Sequence, residues 1–170
     1  MRQLNFLALM GLATLFLLCS CSRSGTLLNV GDTLPPLTLE TIDGVRFTSD
    51  DLSGKVVFLN FFATWCGPCK AELPHLQQAF FEQIQDPNFI LLCIGREHSS
   101  EELLEFRNQM KLSLPMVADP QRSIYAHFAE QGVPRNIIVD PQGNILWSKW
   151  GFDPGEVKRM VQLIQDHLPR

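Results

Sequence analysis

The chain has 170 residues, enough for one hydrophobic core and a short appendage. Apolar residues make up 45% of it and charged residues 19%, a globular balance in which the N-terminal segment inflates the apolar share. The net charge of -4 leaves no basic excess, so no nucleic-acid role is expected.

In chain order, Met1-Arg2-Gln3 is a short, weakly basic start, and Leu4 to Leu18 is nearly continuous apolar sequence. Leu18-Cys19-Ser20-Cys21 follows at once. This pattern reads as a secretory signal over residues 1–20 with a small residue before the cut. An uncleaved membrane anchor is the alternative, but the apolar stretch falls short of a comfortable span. The order Leu, any residue, Ser, Cys resembles the bacterial lipobox. That resemblance implies cleavage before Cys21, acylation of its sulfur and a fold facing out of the cytoplasm. Residues 21–30, without periodicity, are expected to form a lipidated tether, and residues 31–170 one globular domain.

Leu37-Thr38-Leu39 and Val45-Arg46-Phe47 flank Asp43-Gly44, which predicts a β-hairpin ahead of the main fold. Val56 to Phe62 is apolar save for Asn60, rich in Val and Phe, and predicts a buried strand. A helical pattern then opens at Trp65-Cys66-Gly67-Pro68-Cys69-Lys70, with Leu73, Leu76, Phe80 and Ile84 on one face and Pro74 set to kink it. Two thiols three residues apart at a helix start point to redox chemistry. The unpaired N–H groups and positive dipole end there favour a thiolate at the first cysteine, and the second lies about one turn on, close enough to attack a mixed disulfide. Pro68 suits a first turn, having no N–H to lose.

Phe89 to Ile94 predicts a central strand, in which Cys93 is an inert core thiol, and Ser99 to Glu102 forms a capping-box pattern before Leu103, Phe106 and Met110. Strand, helix, strand, helix favours a parallel α/β core. Pro115 to Ala118 reads as a short edge strand or extended loop, and Asp119-Pro120 as the start of a brief helix through Ile124 and Phe128. Asn136 to Val139 and Ile145 to Trp147 flank a turn at Asp140-Pro141-Gln142-Gly143. Asp153, Pro154 and Glu156 are expected to cap and box a last helix with Val157, Met160, Val161, Ile164 and Leu168 inward. His75, His98, His127 and His167 lack metal-ligand spacing, so no metal and no cofactor is expected.

The run Val57 to Cys69, with Pro74 and Gly132-Val133-Pro134, resembles the thioredoxin superfamily, in its membrane-tethered TlpA/ResA-like branch of bacterial lipoproteins. The resemblance implies a thioredoxin-like α/β fold, a central mixed β-sheet flanked by helices, with the hairpin as an N-terminal extension. It implies thiol-disulfide exchange in which Cys66 attacks and Cys69 resolves, and a cis-proline at Pro134 that sets the Val133 backbone beside them. Trp65, Gly67, Pro68, Val133 and Pro134 then form the substrate-facing surface. Asn60 departs from thioredoxin, where an aspartate stands, and Glu72, three residues after Cys69, takes the place of the branch's glutamate with a related catalytic role. The bland reading of Glu72 is a solvated first-turn carboxylate supporting the helix dipole. Arg135 is read equally as a substrate contact and as a solvated surface residue.

The partners implied are disulfides of exported proteins, cytochrome c apoproteins among them, and a membrane electron donor of the DsbD/CcdA kind. Two rival readings use the same cysteines. A peroxiredoxin-like thiol peroxidase shares the core, but Thr64 lies one place too close to Cys66 and Leu59 stands where that pattern has Pro. A copper or zinc carrier would leave a tetrahedral zinc site half filled, since no second pair supplies the missing ligands.

Overall fold

A computed structural model describes residues 25–170, so the signal segment and Cys21 lie outside the described residues. The main sheet has five strands: β3 (Val56–Phe62), β4 (Phe89–Arg96), β5 (Met116–Asp119), β6 (Arg135–Val139) and β7 (Ile145–Trp150), in the order β5-β4-β3-β6-β7. β3 pairs parallel with β4, and β4 with β5, whereas β6 runs antiparallel to β3 and to β7. The sheet is therefore mixed, as the resemblance implies. The two central neighbours of β3 leave all seven of its residues buried, which is why it reads as an unbroken apolar run.

Alternation along β3 builds two cores. Val56, Phe58 and Phe62 face the side covered by α2 (Gly67–Leu76), α3 (Ser100–Gln109) and α4 (Val157–His167). Val57, Leu59 and Phe61 face the side closed by Leu37, Leu39, Tyr125 and Phe128. The hairpin strands β1 (Thr38–Glu40) and β2 (Arg46–Thr48) pair in register Leu39 with Phe47 and lead into the short helix α1 (Ser49–Leu52). Asp43 in the hairpin turn takes two hydrogen bonds from Arg107 of α3, at 2.6 and 2.7 Å, which hold its carboxyl below the usual range. The hairpin also guards the sheet edge: Ile42 N–H donates to the Met116 carbonyl of β5.

Most elements fall where the pattern puts them, and the departures have physical causes. The capping box of α3 forms as expected: Ser99 caps the Glu102 N–H, and the Glu102 carboxylate takes the Ser99 N–H. Past Pro74, α2 gives way to a π-helical turn at Gln77–Phe81, yet Phe80 and Ile84 stay buried. The brief helix expected from Asp119 shrinks to one 3-10 turn, Tyr125–His127. Asp119 is buried and its carboxylate takes the Ile124 and Tyr125 N–H groups directly. The expected box before α4 does not close: Asp153 caps Gly155, but Glu156 pairs with Lys149 of β7.

Residues 25–30, placed by the sequence in a tether, are docked. Thr26 bridges Ala129, Leu27 N–H donates to the Phe128 carbonyl, and Ser148 Oγ donates to the Leu28 carbonyl. Asp119→Ala removes acceptors from two backbone N–H groups around buried Tyr125 and is expected to lower the unfolding free energy by about 2 kcal/mol in urea titration. An unchanged midpoint would show those bonds to be dispensable.

Candidate active site

Where β3 ends, Ala63 to Trp65 carry the chain over to α2. Cys66 is the N-cap of that helix, and its sulfur accepts the Cys69 N–H at 3.2 Å. Pro68 sits in the first turn, where no N–H is missed. Cys66 and Cys69 form a disulfide with Cα atoms 5.3 Å apart. Their surroundings differ: Cys66 is 6% exposed and Cys69 is fully buried, while Trp65 beside them is 63% exposed. Gly67, Pro68 and Lys70 are exposed along the same edge.

The Val133–Pro134 peptide is cis. Its loop is fixed one carbonyl at a time: Tyr125 Oη donates to Gly132 O at 2.7 Å, Arg135 to Gln131 O at 3.0 Å, and Gly151 N–H to Pro134 O at 2.8 Å. The Val133 carbonyl between them faces Cys66 Sγ at 3.7 Å. Gly132 has φ +90°, and a Cβ there would meet the Trp150 indole at 2.7 Å, so glycine is required twice over. Trp150, 54% exposed, thus lies across the proline loop as rim, whereas Trp147 is half-buried against the core.

Glu72 is not the solvated carboxylate of the bland reading. It is buried, and its oxygens take hydrogen bonds from two carboxamides: Asn60 Nδ2 at 2.9 Å and Asn136 Nδ2 at 2.5 Å. Burial pushes its carboxyl up to about 7, against the pull of those two bonds. Cys93, also buried, has its thiol pushed up by burial and by the Glu72 charge, in keeping with an inert core role.

No local motif marks Asn136 as a site residue. It is one of two polar residues, with Arg135, in the fully buried strand β6, and it lies opposite Asn60 in register. His98 lacks metal-ligand spacing like the other histidines, yet its Nε2 accepts the Thr64 N–H at 3.0 Å, two residues from Cys66. Thr64 Oγ1 lies 3.4 Å from the same nitrogen. Both readings of Arg135 are corrected: it is fully buried, and it bonds Thr26 Oγ1 at 2.7 Å as well as Gln131 O, tying the N-terminal segment to the proline loop. Among the described residues no cluster of three or more His, Cys, Asp or Glu offers a metal site.

A C-x-x-C pair at a helix start, opposed by a cis-proline loop on a mixed sheet, is the arrangement of the thioredoxin-like thiol-disulfide oxidoreductases. The chain belongs to the AhpC/TSA family, whose model matches residues 30–148. It is similar to the thiol-disulfide oxidoreductase ResA of Bacillus subtilis, 28% identical over 68% of this chain and 64% of that protein. ResA of Geobacillus thermodenitrificans is 29% identical over 71% of this chain and 68% of its own. Among solved structures, one from Bacteroides thetaiotaomicron, provisionally assigned as a protein disulfide isomerase, superposes with TM-score 0.80 at 31% identity, covering 85% of this chain and 92% of that one. A thiol:disulfide interchange protein from Chlorobium tepidum, provisionally assigned as DsbE, gives 0.69 at 26% identity, over 84% and 99%.

Because the folded state raises the Glu72 carboxyl from 4.5 to about 7, it binds that proton more tightly than the unfolded chain does. The stabilisation is complete below pH 4.5 and is lost as pH rises through 7, a change of about 3 kcal/mol. Unfolding of the oxidised protein followed in urea from pH 4.5 to 8 should show this fall, and Glu72→Gln should flatten it. An equal slope in both proteins would remove Glu72 as its source.

Proposed function

We infer that the protein is an extracytoplasmic thiol-disulfide exchange enzyme that reduces disulfides in exported proteins, cytochrome c apoproteins among them. The observation that carries this is the unequal pair: Cys66, slightly exposed, beside the Val133 carbonyl and the cis Val133–Pro134 peptide, and Cys69 fully buried one turn behind it. The relatives named thiol-disulfide oxidoreductases support exchange over the peroxidase and metal-carrier readings.

In the reduced enzyme, the helix N-terminus and the Cys69 N–H favour a thiolate at Cys66. That thiolate attacks one sulfur of a substrate disulfide. A Cys66–substrate bond forms, the substrate S–S bond breaks, and the second substrate sulfur leaves as thiolate. Trp65, Gly67, Pro68 and Val133 line the exposed approach, with the proline loop as the backbone edge against which the substrate peptide lies. Cys69 then gives its proton to the Glu72 carboxylate and attacks Cys66 Sγ. The internal disulfide forms and the first substrate sulfur leaves as thiolate, so two electrons have passed to the substrate.

The oxidised enzyme needs two electrons back, and the supply proposed is a membrane dithiol donor of the DsbD/CcdA kind. Acylation of Cys21 would hold the domain beside such a donor, facing the periplasm or its equivalent. No helix among the described residues is long and apolar enough to cross a membrane, so this reading rests on the lipobox pattern.

Cys69→Ser should accumulate mixed disulfides on Cys66 that identify the substrates, visible on non-reducing gels and absent in the Cys66→Ser, Cys69→Ser pair. Capture of no exported protein would refute the proposed role. Cys21→Ser should move the protein from the membrane to the soluble fraction; retention in the membrane would refute acylation as the anchor.

A further inference from the structure

Asn60 and Asn136 are the buried polar side chains that meet Glu72 from the sheet, one from β3 and one from β6, paired in register. Asn60 Nδ2 spends one hydrogen on Glu72 Oε2 and the other on Asn136 Oδ1 at 2.8 Å, while Asn136 Nδ2 donates to Glu72 Oε1. Both carboxyl oxygens therefore receive an N–H, and the amides brace each other. Asn60 Oδ1 is buried without a hydrogen-bond partner among the described residues. Turning that amide to relieve it would press an oxygen against Glu72 Oε2 and against Asn136 Oδ1. The arrangement leaves an acceptor unsatisfied, at a cost, in order to keep its donors on the carboxyl group.

We propose that Asn60 and Asn136 are positioning residues, a carboxamide clamp that holds Glu72 ready as a carboxylate to take the proton of Cys69. The inference rests on the reading of Glu72 as that proton acceptor. A donor-only clamp binds the ionised form and offers no acceptor to the acid, so a proton on Glu72 must sit on a lone pair neither amide holds. The clamp thereby opposes the desolvation that would otherwise keep Glu72 protonated, and idle as a base, over the neutral range.

The other ionisable groups around the cluster do not supply this control. Cys69 on α2 is the proton donor itself. Cys93, beside Asn60 on β4, is held as a neutral thiol by burial and the Glu72 charge. Lys149, opposite Asn136 on β7, is turned onto Glu156 of the turn before α4.

The test titrates the Glu72 carboxyl carbon by NMR in the oxidised, glutamate-labelled protein and compares Asn136→Val and Asn60→Leu with the wild type. Two variants are used so that a folding failure in one leaves the other. Each loses a charge-assisted donor, so the midpoint should rise by about one pH unit, tenfold in proton affinity. The pH profile of disulfide reduction by the reduced enzyme should move upward with it, and Glu72→Gln should abolish the dependence that moves. An unshifted carboxyl midpoint in the variants overturns the clamp, whatever Glu72→Gln does. A shifted midpoint with a turnover profile that neither the clamp variants nor Glu72→Gln alters overturns the proposal from the other side, because Glu72 would then take no part in the proton transfer.

Discussion

A carboxyl group placed where water does not reach must be paired with donors, and much of this architecture follows from satisfying that one group. Glu72 enters the interior because Cys69, one turn before it, must be buried and the same face of α2 continues with Leu73 and Leu76. The donors come from the sheet, and they meet because β6 runs antiparallel to β3 with Asn136 opposite Asn60. A slip of β6 by one residue would turn Asn136 to the far face and leave the carboxylate with Asn60 as its one remaining amide donor. Sheet register and the protonation of the redox site are thus one constraint.

A second fixed piece, the proline loop, meets that site from outside. With the Gln131, Gly132 and Pro134 carbonyls committed to Arg135, Tyr125 and Gly151, the loop turns the Val133 carbonyl toward Cys66. Arg135 extends this bracing to Thr26, so the segment leading toward Cys21 is attached to the loop that faces the redox pair. A buried guanidinium can serve there because the acceptors it needs are supplied by the loop and the N-terminal segment together.

What could be read from the sequence was what local chemistry decides. The C-x-x-C helix start, the capping box at Ser99 and the hairpin at Asp43-Gly44 each depend on residues within one turn of each other, and the structure shows them as read. Asn136 and His98 take their meaning from partners 64 and 34 residues away, and Arg135 from Thr26, 109 residues away, together with the nearby Gln131 carbonyl, so no local motif announces their roles. Glu72 lay between these cases. A glutamate in a first helical turn is ordinarily solvated, and only the crossing of α2 over β3 and β6 decides otherwise. The box expected at Glu156 failed for a related reason: a lysine on the neighbouring strand outcompeted the helix's own N-cap for the carboxylate.

In the proposed exchange mechanism, the same buried charge would separate the thiols by function. Of the pair only Cys66 keeps any exposure, so in the proposed mechanism attack on a large substrate would start there, with the helix N-terminus favouring its thiolate without help from Glu72. Cys69 has no solvent to take its proton and must pass it to a neighbouring base, which a carboxylate about one turn away can be. Cys93, in register with Asn60 on the other side of β3, meets the same carboxylate as a repelling charge, and with no positive end of a helix to offset it, its thiol stays protonated. One carboxylate in the interior keeps the structural thiol silent and, in the proposed exchange mechanism, would also help the resolving thiol to ionise. What separates their fates is that Cys69 needs a base only for the moment of resolution, whereas a thiolate at Cys93 would have to persist beside an unrelieved negative charge.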